Sequence, residues 1–119
     1  MISALRGATS VENDTRDEIL KAVKELFTAI MSENNLNEED LGFVQFSQTK
    51  DLRSRNAAEA VRKAGFCSSV PLFCTQEADI EGGMPKVIRV AIILKDQLKS
   101  PAKMIYLNRA ANLRPDLNT

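Results

Sequence analysis

The segment "VIRVAIIL", residues 87–94, predicts the central strand of a sheet. Successive side chains of a strand point to opposite faces, and both faces of this segment are apolar except at Arg89. A strand with two apolar faces is typical of a position between packed layers. We therefore expect Arg89 to be at least partly buried, where a guanidinium requires a partner.

Two partners for Arg89 are compatible with the residues. The segment "VPLFCTQEADI", residues 70–80, predicts a strand, and the turn "EGGMPK" separates it from residues 87–94. A structural salt bridge from Arg89 to Glu77 or Asp79 across this hairpin is one explanation. The other is that Arg89 awaits an anionic ligand, since perturbed charges also occur at functional sites.

The composition indicates one soluble globular domain over residues 1–119. Apolar residues make up 44% of the chain and charged residues 27%, which favours a folded core over disorder. Sixteen basic and sixteen acidic residues cancel, so no net field favours nucleic acid or an anionic membrane. No apolar run is long enough to span a bilayer, and the first residues do not resemble a secretory signal.

The chemistry open to the chain is limited by its residue types. It contains no histidine, which removes the commonest metal ligand and the usual activating base for a nucleophile. Its two cysteines, Cys67 and Cys74, are too few for a disulfide framework or a zinc site. We therefore expect no metal and no cofactor, and a cytoplasmic location.

The remaining elements complete an α+β domain with a mixed five-stranded sheet, one long helix and a short helix. Thr15 and Glu18 predict a capping box for the long helix, and Asn56 with Glu59 predicts one for the short helix. One long helix cannot cover both faces of such a sheet, so oligomerisation is expected. The predicted strands are 1–7, 43–47, 70–80, 87–94 and 103–110, the helices are 15–33 and 57–64, and the tail 112–119 is extended.

Single residues of the predicted site also have ordinary structural explanations. Cys74 by itself fits a small buried hydrophobe, and Tyr106 fits core packing with its hydroxyl at the rim. Cys74 and Glu77 differ in strand parity, so a regular strand cannot present both to one pocket. Either one of them faces the core, or a bulge or strand end intervenes.

Five motifs in order resemble one family, the small, trimeric, monofunctional chorismate mutases. They are "RGATSVENDT", "AAEAVRKAG", "VPLFCTQEADIEGG", "IRV" and "LRPDL". The resemblance implies a homotrimer with a pseudo-α/β-barrel core and active sites between subunits. It also implies the Claisen rearrangement of chorismate to prephenate, on the route to phenylalanine and tyrosine, without a cofactor.

The resemblance also implies the role of each site residue. Arg89 would stabilise the ether oxygen of the transition state, with Glu77 and Cys74 at the substrate's ring hydroxyl. Arg6, Arg62 and Tyr106 would bind carboxylates. The other predicted substrate contacts are Ala58, Phe73, Leu113 and Arg114.

The chain departs from the family pattern at several positions, and two other functions stay open. The segment "KDL" stands where the family has "PDL", and Phe73 stands where a small hydroxyl residue is common. Asn56 and Glu59 stand where the family has a phenylalanine and a lysine, so they either start a helix or weaken binding of a dianion. The alternatives are an imine-deaminase-like trimeric enzyme and a non-catalytic module that binds small carboxylates or amino acids. Turnover of chorismate distinguishes the mutase from both.

Overall fold

The computed structural model describes residues 3–113. The strands are β1 (Ser3–Ser10), β2 (Leu41–Gln48), β3 (Leu72–Gln76), β4 (Val87–Leu94) and β5 (Ile105–Tyr106). Two α-helices pack on the five-stranded mixed sheet that they form, of order β3-β2-β4-β1-β5, in which β4 pairs antiparallel with β1 and β2. Strand β3 pairs parallel with β2, and β5 parallel with β1. The α+β class and the central position of residues 87–94 are confirmed. The helices are α1 (Arg16–Glu33), a 3-10 helix (Glu38–Asp40), α2 (Ala57–Lys63) and a second 3-10 helix (Asn108–Leu113).

The predicted hairpin between residues 70–80 and 87–94 is wrong. Strand β2 lies between β3 and β4, and β3 is reduced to Leu72–Gln76. Helix α2 lies in the connection between β2 and β3. Because these two strands are parallel, they require a crossover connection of this kind. The strands β3 and β4 follow each other in the sequence, but they are not paired in the sheet.

The long helix begins where its cap predicts. The Thr15 hydroxyl accepts a hydrogen bond from the Glu18 amide at 3.1 Å. The Glu18 carboxylate, however, accepts from the Asn13 amide and not from that of Thr15, so the capping box is incomplete. In α2 the Asn56 side chain accepts from the Ala58 and Glu59 amides, and Glu59 turns its carboxylate elsewhere.

The two faces of the sheet have different environments. The α-helices cover one face and form the core with it. Buried side chains of this helix-side face are Leu5, Val44, Phe46, Ile88, Val90, Ile92 and Leu94. The opposite face, called here the open face, carries Arg6, Gln45, Ser47, Phe73, Arg89, Ala91 and Ile93.

The open face is less buried than its apolar pattern predicts. Phe73 is 56% exposed and Ile93 38%, and Arg89 keeps 44% of its side chain accessible. The physical reason is that the helices of one chain cover a single face. Apolar exposure of this kind is typical of an interface.

The C-terminal part departs from the predicted strand 103–110. Only Ile105 and Tyr106 are extended, and residues 108–113 form a 3-10 helix, so Asn112 and Leu113 do not begin an extended tail. The helix is tied to β1, because Asn108 and Arg109 donate hydrogen bonds to Thr9 and Ser10. Residues 114–119, and with them Arg114, lie outside the described part.

Candidate active site

Arg89 and Glu77 form an ion pair at the open face. The Arg89 Nε lies 2.5 Å from Glu77 Oε1, and the Glu77 side chain is 22% exposed. Glu77 follows the end of β3, and its amide donates to the Gln48 carbonyl at 2.9 Å. This bond continues the path of β3, so Glu77 reaches across β2 toward Arg89.

Ser47 completes this pair and was missed by the sequence analysis. It lies on β2 directly between the two strands, opposite Arg89 and Thr75 in register. Its hydroxyl donates to Glu77 Oε1 at 3.2 Å. The only sequence signal was its position in the predicted strand 43–47, which became informative once β2 was known to separate β3 and β4.

A cleft on the open face brings Arg6 and Tyr106 beside Arg89. All three line it together with Ser47 and Gln45. Arg6 faces this side because it is opposite Ala91, and Tyr106 pairs with Ala8, which is opposite Arg89. Two guanidinium groups and a phenol at one cleft can bind an anion with several oxygens.

The second 3-10 helix places Leu113 close to the same region. Tyr106 is 7% exposed and packs with Ala8 and Ala110, and Leu113 packs against this cluster. The packing holds the aromatic ring, and Tyr106 lines the cleft of Arg89. The predicted neighbourhood of Tyr106 and Leu113 is thus present within one chain.

A second cleft lies at the edge of the sheet, between α2 and β3. It is lined by Asn56, Ala58, Glu59, Arg62, Lys63, Leu72, Phe73 and Cys74. The remaining predicted substrate contacts, Ala58, Arg62 and Phe73, therefore meet here and not around Arg89. One chain by itself therefore separates Ala58, Arg62 and Phe73 from the cleft of Arg6, Arg89 and Tyr106.

Cys74 belongs to the second cleft and does not join Glu77. It pairs with Phe46 in register and faces the helices, half-buried, with its Sγ 3.3 Å from Gln48 Oε1. Burial raises the pKa of this thiol, so it is neutral near pH 7. Of the two explanations offered by strand parity, the structure has Cys74 toward the core.

Residues 3–113 contain no group of three or more Cys, Asp or Glu side chains arranged to hold a metal ion. No helix of this part is long and apolar enough to cross a membrane.

Comparisons with known proteins agree on one family. A model of the family chorismate mutase type I matches residues 2–117. The chain belongs to the chorismate mutase type I family. The chorismate mutase AroH of Bacillus subtilis is 40% identical over 119 residues, which are 99% of this chain and 94% of that protein. The AroH of Thermus thermophilus is 38% identical over 121 residues, or 100% and 98% of the two chains.

A solved structure extends the agreement to the fold. The chorismate mutase from Clostridium thermocellum superposes with a TM-score of 0.85 at 37% identity and covers 92% of this chain and 98% of its own. The resemblance found in the motifs is therefore confirmed. The matches favour neither the imine-deaminase-like enzyme nor the non-catalytic module.

Proposed function

We propose that this chorismate mutase performs its rearrangement at Arg89, with the guanidinium at the ether oxygen of chorismate. The observation that carries this assignment is the Glu77–Arg89 ion pair, which orients a cation at a cleft that also holds Arg6 and Tyr106. The activity itself, conversion of chorismate to prephenate, follows from membership of the family.

The reaction suits the residues of this cleft. In the rearrangement a C–O bond breaks while a C–C bond forms within one molecule, so no nucleophile and no proton transfer are required. Negative charge develops on the ether oxygen as the bond breaks. A fixed guanidinium near this oxygen interacts more strongly with the transition state than with the substrate, and it therefore raises kcat.

Glu77 holds the guanidinium in place. Its Oε1 contacts Arg89 Nε and also accepts the Ser47 hydroxyl, which leaves the terminal nitrogens of Arg89 available to the substrate. A carboxylate at this position can accept a hydrogen bond from the ring hydroxyl of chorismate as well. Pre-ordering of this kind lowers the cost of arranging the catalytic group during the reaction.

The two carboxylates of chorismate require the other cations. Arg6 and Tyr106 line the cleft of Arg89, whereas Arg62 lies in the cleft of α2 and β3. We assign Arg6, Arg62 and Tyr106 to carboxylate binding, with Ala58, Phe73 and Cys74 as contacts from the second cleft. Leu113 and Arg114 would close the mouth.

A homotrimer would bring the two clefts together. The exposed apolar side chains of the open face provide a contact surface, and a neighbouring subunit seated there can place its β3 edge opposite Arg89. In this arrangement one subunit supplies Arg6, Arg89 and Tyr106 and the next supplies Ala58, Arg62 and Phe73. The two free cysteines favour a reducing compartment, and we expect the enzyme in the cytoplasm.

Mixing two inactive variants tests the shared site. Arg89→Ala and Arg62→Ala each remove one half of every site, and co-expression forms trimers with both kinds of subunit. If each site combines two subunits, about a quarter of the sites in random mixtures are intact, and activity reappears. Activity that stays absent in mixed trimers would show that both arginines act from the same subunit.

A further inference from the structure

The carboxylate of Glu59 lies in the cleft assigned above to substrate binding. It shares the cleft with Arg62, Lys63 and Phe73, and its side chain is 50% exposed. Chorismate is a dianion, so a free carboxylate here would repel it. The position of Glu59 also places it three residues before Arg62 and four before Lys63 on α2, within reach of both.

Glu59 is turned away from these two cations by a residue outside the cleft. Its Oε1 lies 2.9 Å from the Nε of Arg55, which is four residues earlier and directly precedes the N-cap Asn56. The Arg55 side chain is only 9% exposed, and its Nη1 donates to the Arg16 carbonyl at 3.4 Å. Arg55 Nε makes no directed hydrogen bond within the described residues, so charge attraction holds the pair.

Arg62 is consequently left without a carboxylate partner. Among residues 3–113 it takes part in no ion pair, although Glu59 is close enough in sequence to form one. A cation that must bind a substrate carboxylate benefits from being unpaired, because a bound Glu59 would compete with the substrate. Arg55 thus neutralises the Glu59 carboxylate and leaves the Arg62 guanidinium unpaired.

We infer that Arg55 is a positioning residue for substrate binding, which sequesters the Glu59 carboxylate so that Arg62 is free for a carboxylate of the substrate. The inference rests on the proposed function, which assigns Arg62 to substrate. It predicts an effect on KM with little effect on kcat, because neither Arg55 nor Glu59 touches the breaking bond.

The test is a pair of variants with a rescue. In Arg55→Gln the released Glu59 repels chorismate and competes for Arg62, so KM rises on the order of fivefold, from Coulomb repulsion across a partly solvated cleft. Arg55→Gln with Glu59→Gln removes the carboxylate and restores KM. Arg55→Lys keeps the cation and retains a KM within about twofold of the parent enzyme.

A matched control removes an exposed cation elsewhere. Lys103→Gln breaks the Lys103–Glu33 pair, at 3.9 Å, with the same change in net charge, and it leaves KM unchanged. If Arg55→Gln does not fold, Arg55→Met, which keeps the packed stem, carries the same measurement.

The outcomes separate this inference from the proposed function. Failure of the parent enzyme to convert chorismate would overturn the function itself. An active parent whose KM is unchanged in Arg55→Gln would overturn the inference alone. A raised KM that Glu59→Gln does not restore would also overturn it, since Arg55 would then act only through the structure of α2.

Discussion

Glu77 and Arg89 form an ion pair although their strands do not touch. Strand β2 lies between β3 and β4, and Glu77 crosses it from just beyond the end of β3 to reach Arg89 Nε at 2.5 Å. The Ser47 hydroxyl, on the intervening strand, fixes the same carboxylate oxygen. Residues of, or next to, three strands thus hold one guanidinium in position, as the proposed electrostatic role of Arg89 requires.

Ser47 is expected to support this arrangement without being essential. Ser47→Ala removes the hydrogen bond to the Glu77 carboxylate, and kcat should fall by roughly tenfold, the effect of one hydrogen bond to a charged group worth about 1.5 kcal/mol. Ser47→Thr retains the hydroxyl and should recover most of the lost rate. Steady-state kinetics on chorismate measure both, and equal losses in the two variants would mean that strand packing and not the hydroxyl is responsible.

Ile93 should be necessary for assembly. It is 38% exposed at the open face and lies opposite Phe43 and Ala4 in register. Ile93→Glu places a charge in the proposed subunit contact, so we expect monomers and loss of activity. Light scattering after gel filtration measures the mass.

The control for this change is Thr28→Glu, on the exposed side of α1. It adds the same charge away from the open face and should leave the proposed trimer intact. A trimer that persists in Ile93→Glu would place the subunit contact elsewhere.

Cys67 should make the fold sensitive to alkaline pH. Burial, with the Glu38 carboxylate as a second cause, raises the pKa of its thiol from 9.0 to about 12. Between these values the unfolded chain loses the proton and the folded chain keeps it, so the free energy of unfolding falls as pH rises through this range. Well below pH 9.0 the thiol is protonated in both states and its contribution is complete.

Urea denaturation at about pH 8 and about pH 10 measures this effect. Cys67→Ala removes the thiol, and the decrease in the free energy of unfolding between the two pH values should be smaller than in the parent protein. An identical decrease in both proteins would show that other groups, such as lysines, account for the alkaline loss.

The sequence predicted the local features of this fold well and its long-range pairing poorly. The start of α1 depends on Thr15 and Glu18, which are near in sequence, and it was predicted correctly. The parallel partner of β3 is separated from it by α2, so no local pattern could reveal that β2 lies between β3 and β4.

In the candidate site, too, local patterns in the sequence pointed to some residues, whereas others depend on long-range pairing. Arg89 was singled out because a charge interrupts an apolar strand. The residues alone offered either Glu77 or Asp79 as its partner, and the predicted role of Glu77 came from the resemblance to the family. Ser47 and Arg55 have no such signal, since a serine in a strand and an arginine before a short helix are common. The proposed role of Ser47 depends on the register of β2, and that of Arg55 depends on the direction in which the Glu59 side chain points.

The most direct test of the account is the initial rate of chorismate absorbance loss for the parent enzyme and for Arg89→Ala, with prephenate identified as product. Lys95→Ala, which removes an exposed cation just after the same strand, serves as the control and should keep the parent rate. We expect that Arg89→Ala, folded and assembled as the parent, loses at least about 10²-fold in kcat. A loss of less than about tenfold would contradict the assignment of Arg89 to the transition state.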